Sequence, residues 1–344
     1  MSLLSFDSAG SILLAFAVSA TLILFAGVRL SGVADRLADR AGLGEAIVGS
    51  VLPGAATSLS GLTTSVTAAW NGFPELAVSN AAGGIAGQTF FLAVADAVYR
   101  RANLEHAAAS LPNMIQGTVL AGCLSLAVLG ASLSGYAILG VHPASYLLVI
   151  FYGLGLWVTR RAGVEPGWKP RVTSETRQDE PDEDDGSVST TRLWAEFAGL
   201  AAVTAGAGFL IGRAGEGATE VFGLSQSIVG TFGTALLTSL PELVTTIAAV
   251  RRGALTLAVG GIIGGNAFDV LFLAASDVAY REGAIYEAVT ERQTFVIALS
   301  LFMTTILLMG LLRRERHGVA NIGFETILLI GAYLLGGAAL FAAG

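Results

Sequence analysis

Two carboxylates stand where the surrounding sequence is almost wholly apolar. Glu242 lies in TSLPELVTT and Asp269 in GGIIGGNAFDVLF. An ionisable side chain at membrane depth is costly and marks an ion or proton site. Pro241, just before Glu242, is expected mid-helix, where it strips the carbonyl of Leu237 of its helical partner and kinks the chain. Irregular backbone at that depth is tolerated only where it is buried or lines a wet cavity. Freed carbonyls, the hydroxyls of Thr238 and Ser239 and the Glu242 carboxylate make a cluster of hard oxygens. Such a set suits Ca²⁺, Mg²⁺ or Na⁺ and not a soft metal. On the next apolar run Asn266 and Asp269 are three apart, on one helical face. Gly260, Gly261, Gly264 and Gly265 leave a bare face there, against which a neighbouring helix can approach closely. At 1.5 Å per residue Glu242 sits about 13 Å from the Arg251 end of its helix and Asp269 about 23 Å into its own. Both depths fall inside a hydrocarbon core roughly 30 Å thick.

The elements that position these groups follow from composition. Of 344 residues 53% are hydrophobic and 13% charged, which places the chain among polytopic membrane proteins. Ten apolar stretches are long enough to be spans, near 9–30, 44–70, 74–98, 112–139, 143–158, 194–213, 225–250, 254–280, 292–312 and 321–343. Numbered alternately, the loops on one side hold sixteen of the nineteen Lys and Arg, and the other side holds only Arg213, Arg281 and Arg292. By the positive-inside rule both termini lie outside and the central loop in the cytoplasm. The first apolar run lacks a basic leader and a small-residue exit, so it reads as a retained helix. A prokaryotic plasma membrane is the expected location. Net charge of −7 argues against nucleic-acid binding. The partners are then inorganic cations and the bilayer, with oligomeric state unspecified.

The carboxylate-bearing region occurs twice. Residues 42–100 overlay 223–281 without a gap at an offset of 181. Gly61 and Gln88 stand in the first copy where Glu242 and Asp269 stand in the second. The offset holds outside the window, pairing Gly27 with Gly208 and Tyr152 with Tyr333. The fold expected is therefore all-α, with ten transmembrane helices as two five-helix repeats, 1–158 and 193–344. An odd number of helices per half inverts the second copy relative to the first, as in many secondary transporters. Residues 159–192 join the halves as an acidic, disordered cytoplasmic loop. Its acids, Asp179 to Asp185, lack the spacing of a Ca²⁺ loop and read as a solvated linker.

Other polar groups read as structural. Asp96 and Asp277 each precede an arginine by four residues, Arg100 and Arg281, a spacing that suits a helix-end ion pair. Glu75 falls near the interface, the three histidines share no metal-ligand spacing, and Cys123 is a small core residue. No G-x-S-x-G, Walker or HExxH sequence is present, so the chain is not expected to be an enzyme and no cofactor is implied.

GTALLTSLPELVTT with GGNAFD resembles the two segments of the second α-repeat of the calcium/cation antiporter superfamily, the sodium/calcium exchanger type, and the 42–100 copy resembles its first. The resemblance implies that Glu242 and Asp269 bind the transported cation, with Thr238 and Ser239, and Thr57 and Ser58 in the first copy, as secondary ligands. Asn266 and Gln88 complete the candidate set. The chain departs from the family at Gly61, where a Glu is expected, at Gln88, where Asn or Asp is expected, and at Gly84 and Gly265, each in place of a Ser. The function expected is exchange of Ca²⁺ for Na⁺ or H⁺ by alternating access. Loss of charge in the first copy keeps two other readings open: a monovalent cation or proton exchanger, and a degenerate interaction or sensor subunit that no longer transports.

Overall fold

A computed structural model describes residues 6–40, 54–99, 103–133, 135–169, 171, 188–315 and 322–343. The described chain is helical: α1 Ala9–Arg40, α2 Leu59–Trp70, α3 Pro74–Val98, α4 Leu104–Ala108, α5 Leu111–Ser132, α6 Pro143–Val164 and α7 Thr190–Phe222. There follow α8, 226–238, whose middle Val229–Thr234 is a π-turn, α9 Leu240–Arg252, α10 Leu255–Asp269, α11 Leu271–Ala279, α12 Glu291–Arg313 and α13 Phe324–Ala342. Among the described residues eight helices are long and apolar enough to cross a membrane, and the bent pair α8 and α9 makes a ninth. Ten were expected. The remaining stretch, 44–70, is described only from residue 54; half of the expected disordered linker 159–192 also lies outside the described residues, and its two ends are helical instead, 159–164 continuing α6 and 190–192 opening α7.

Local chemistry sets the ends. Proline in the first turn opens α3, α5, α6 and α9, where no amide hydrogen is needed. Hydroxyls cap α5 as well and α7: Ser110 accepts from the amide of Asn113, and Ser189 from that of Arg192. Gly223 and Gly253 end α7 and α9 in the left-handed region, at φ 64° and 86°, which only glycine adopts without cost.

The ends repeat. Shifted by 181, Ala9 of α1 falls on Thr190, where α7 begins, and α3 maps onto Leu255–Ala279, which is α10 with α11. Twin helices also pack together: α1 runs along α7, and α3 crosses α10 and α11. Burial sorts the helices into layers. The most apolar windows of α3 and of Leu255–Ala279 are 89% and 78% buried, against 33% or less for α1, α6 and α7. The outer helices show Leu13, Phe25, Ile150 and Trp157 at their surfaces, as lipid contact requires. The central twin pair carries Gln88, Asn266 and Asp269.

The two aspartates expected at helix-end ion pairs each accept from three donors. Asp277 accepts from the amides of Ile285 (2.7 Å) and His142 (2.7 Å) and from the Ser145 hydroxyl (2.6 Å). Asp96 accepts from the amides of Leu104 (2.7 Å) and Gly323 (3.3 Å) and from the Thr326 hydroxyl (2.7 Å). Each donor lies 181 residues from its counterpart, so two copies of one joint bind the halves together. Three donors satisfy a buried carboxylate without a cation beside it. Arg281 instead stacks on the Trp70 ring at 3.9 Å, and Arg100 lies outside the described residues.

Candidate cation site

The Glu242 segment is built by a break in the helix. α8 stops at Thr238, Ser239 takes φ −93° and ψ 7°, and α9 departs at 47°. Pro241 was expected inside one kinked helix, but it lies in the first turn of a new one. Glu242 therefore occupies the positive end of the α9 dipole, which favours a carboxylate. The first copy breaks at the equivalent residue, Ser58 (φ −73°, ψ −5°), with no proline present. The break thus belongs to the Thr-Ser segment and not to Pro241. The expected open carbonyl was that of Leu237; the one that takes an outside donor is Thr238, which accepts from the Ser60 hydroxyl at 3.1 Å.

All eight residues expected at the site are buried, none more than 5% exposed. Gln88 Nε2 donates to Asp269 Oδ2 at 2.7 Å and lies 3.3 Å from Ser239 Oγ. Gln88 and Asp269 are repeat partners, so the two copies meet at this contact. The Ser58 hydroxyl lies beside Asp269, and Thr57 beside Glu242. Thr57 donates its proton to the Gly54 carbonyl (2.9 Å), and Thr238 does the same to Ala235 (3.1 Å), its counterpart. Both threonines thereby keep only oxygen lone pairs for any further contact, which is the donor type a cation needs. Asn266 sits differently: its amide nitrogen donates to the Thr89 hydroxyl at 3.0 Å.

Electrostatics decide what the cluster can hold. Ser58 Oγ, Gln88 Oε1, Glu242 Oε2, Asn266 Oδ1 and Asp269 Oδ1 are buried with no hydrogen-bond partner. An unsatisfied buried polar group costs about 1–3 kcal/mol, more when charged. The two carboxylates are close enough to repel one another. The ion pairs of Arg29 with Glu196 and of Arg213 with Glu216 lie elsewhere. No group of three or more His, Cys, Asp or Glu able to hold a metal occurs among the described residues. Two negative charges among neutral hydroxyl and amide oxygens fit a hard cation taken up as cargo, or protons.

Where the first copy lacks its acid, the space is filled. A Cβ on Gly61 would lie 2.8 Å from Cε2 of Phe272 and 3.7 Å from the Thr238 hydroxyl. At Gly84 and Gly265 a Cβ would stand at ordinary contact distance from Ser239 Oγ (3.7 Å) and Gln88 Oε1 (3.6 Å), so both glycines border the site itself. The glycine-rich face of α10 meets neighbours unevenly. Gly260 packs on Asn113 and Gly265 on Gly54, but Gly261 has nothing within 4 Å.

One participant escaped the reading of the sequence. Asn80, 2% exposed, donates to the Gly61 carbonyl (3.1 Å) and the Ser65 hydroxyl (2.9 Å) and accepts from Thr234 (2.7 Å). It ties α2, α3 and α8 together beside the acid-free position. The available signal was a lone amide in an otherwise apolar run, AVSNAAGG.

Comparison with known proteins places this geometry. A family model described as sodium/calcium exchanger protein matches residues 11–159 and 192–341. The putative antiporter CaxA of Alkalimonas amylolytica is 27% identical over 331 residues, covering 90% of this chain and 96% of its own. The sodium/calcium exchanger MaX1 of Methanosarcina acetivorans is 30% identical over 112 residues, about a third of each chain. The fold is that of the sodium-calcium exchanger NCX_Mj, with TM-score 0.61 and 17% identity over 96% of this chain and 98% of the other. Native YfkE shares it at TM-score 0.62 and 15% identity, over 95% and 92%.

Proposed function

The chain belongs to the sodium/calcium exchanger protein family, and from that premise we propose that it is a secondary antiporter exchanging Ca²⁺ for Na⁺ or H⁺ by alternating access. One observation carries the reading: buried oxygens without donors, two of them on carboxylates, gathered from both copies of the repeat around the Gln88–Asp269 contact. Glu242 and Asp269 are the primary ligands in this account. Thr57, Ser58, Thr238 and Ser239 add neutral oxygens, while Gln88 holds Asp269 in place and Gln88 and Asn266 offer an amide oxygen each. One Ca²⁺, or two Na⁺ or two protons, neutralises the pair, whereas the empty, doubly charged site resists the passage between faces because its charge would cross apolar protein. Exchange follows from that asymmetry.

The ten-helix, two-fold inverted arrangement belongs to the same proposal. It is supported by the matched helix ends, by the paired joints at Asp96 and Asp277, and by the twin contacts of α1 with α7. Both termini outside, with the loop near 159–192 in the cytoplasm of a prokaryotic plasma membrane, follows the arginine distribution.

The test is uptake of radioactive calcium into vesicles of purified protein under imposed sodium and proton gradients. Glu242→Gln or Asp269→Asn should weaken calcium binding by about 3 kcal/mol, roughly a hundredfold, since each leaves its partner charge uncompensated. Unchanged binding in both variants, or no flux of any cation, overturns the reading. The charge-poor first copy favours one narrower version, a proton-driven or monovalent exchanger. Flux that follows a pH gradient and ignores sodium selects it.

A further inference from the structure

A second group of acids lies on the arginine-rich side, away from Glu242 and Asp269. Glu105 is on the short helix α4, Asn103 precedes that helix, and Glu325 lies in the first turn of α13. All three are buried, with exposures of 0%, 1% and 0%. The Asn103 amide nitrogen donates to Glu325 Oε1, and the Glu105 carboxyl lies within hydrogen-bonding reach of the Glu325 carboxyl.

Several oxygens of these side chains have nothing to accept from. Both oxygens of Glu105, Oε2 of Glu325 and Oδ1 of Asn103 are buried without a hydrogen-bond partner. Arg314, whose guanidinium reaches the backbone of α4, keeps a buried Nε without a partner, while its other nitrogens are engaged. Arg314 directs its terminal nitrogens to the carbonyls of Arg171 (2.9 Å) and His106 (3.1 Å), and His106 Nδ1 contacts the Arg314 carbonyl at 2.7 Å. Asp96, the third acid nearby, is satisfied by its three donors.

The repeat supplies an internal control. At an offset of 181 the Asp96 joint recurs at Asp277 donor for donor, so the joint alone accounts for the shared architecture. Glu105, Glu325 and Asn103, however, correspond to Tyr286, Ala144 and Ala284. The same helix junction is built in the other half with no second or third acid. These extra carboxyls are therefore not required by the fold, and their burial side by side needs another cause.

We propose that Glu105, Glu325 and Asn103 form a second cation site, for a hard divalent cation such as Ca²⁺, that clips α4 of the first half to α13 of the second. A single proton would satisfy one of the four acceptors and cancel one of two charges. A divalent cation cancels both and contacts all four oxygens, with its remaining positions left to water. This inference does not depend on the transport reading, since it concerns different residues and needs only binding.

Equilibrium binding of radioactive calcium to the purified full chain in detergent tests it. If both sites bind, the wild type takes up two ions per chain, Glu242→Gln/Asp269→Asn one, Glu105→Gln/Glu325→Gln one, and the fourfold variant none. Unchanged stoichiometry in Glu105→Gln/Glu325→Gln overturns the proposal, as does a titration in which the site takes up a proton and no calcium. Unchanged binding in Glu242→Gln/Asp269→Asn counts instead against the transport reading. Glutamine at 105 brings N–H donors to acceptors that lack them, so Glu105→Gln is expected to fold. As a check, calcium should raise the unfolding temperature of Glu242→Gln/Asp269→Asn and lose that effect when Glu105→Gln is added.

Discussion

Glu105 illustrates how burial turns a single carboxyl into a pH-dependent element of stability. Desolvation first, then the neighbouring charges of Asp96 and Glu325, holds its proton well above the ordinary value of 4.5. The folded protein therefore keeps a proton that the unfolded chain releases as pH rises past that value. The corresponding stability is complete below about pH 4.5 and is lost as pH climbs toward the folded-state value. In divalent-free buffer the unfolding temperature should fall over that rise, and Glu105→Gln should flatten the profile. Gly61 shows the opposite case, a position where an acid is missing. Phe272 occupies the room that a side chain would need, since its ring edge would stand 2.8 Å from a Cβ at Gly61. Gly61→Glu should thus destabilise the protein by about 1–3 kcal/mol through overpacking. Phe272→Ala in the same chain should recover part of that loss, as read by thermal unfolding. The missing acid and the phenylalanine are two sides of one packing solution.

Among the helices, the break between α8 and α9 matters most, because it sets Glu242 in a first turn. Since the first copy breaks at Ser58 with no proline, Pro241 is not its cause. Pro241→Ala should keep the 47° bend and change stability only by about 0.4–1 kcal/mol, the size expected of a proline acting mainly through the unfolded chain. Calcium uptake by that variant should stay near wild type. A large loss would mean that proline itself holds the segment open. Contact at Pro241 also explains a glycine: a Cβ on Gly27 of α1 would lie 2.6 Å from the Pro241 ring, so α1 can pass this closely only as glycine. The sequence pairs Gly27 with Gly208, and Gly208 of α7 packs in the same way on Ser60, the counterpart of Pro241.

Across the entire chain, the repeat unites features that looked separate. α1 with α7, α3 with α10 and α11, and the joints at Asp96 and Asp277 are each paired at one offset. The proposed inversion of one half against the other makes a prediction about sidedness. Ser8 and Ser189 are both exposed, and Cys123 is the sole cysteine, buried. In a Cys123→Ala background, Ser8→Cys should react with an impermeant thiol reagent from outside and Ser189→Cys only from inside. Labelling of both from one side would exclude the topology that the arginine distribution supports. The layered burial fits the same picture, with the twin pair α3 and α10 enclosed and the outer helices presenting apolar side chains to lipid.

Much of this was legible in one dimension because membrane proteins separate their constraints. Apolar length, the period of 181 and the placement of Glu242 and Asp269 are properties of the chain read in order. Each has a cost, in hydration or in buried charge, that holds whatever the neighbours are. What tertiary structure alone decided was the company each group keeps. Gln88, a departure when read against the family, is the residue that meets Asp269; Asn80, a lone amide, supports the carbonyl of Gly61. The ion pair that spacing suggested for Asp277 gave way to a joint, because one amide of its own half and an amide and a hydroxyl of the other half satisfy it. Pairings between residues more than a hundred positions apart depend on how two halves close on each other, and no local pattern records that.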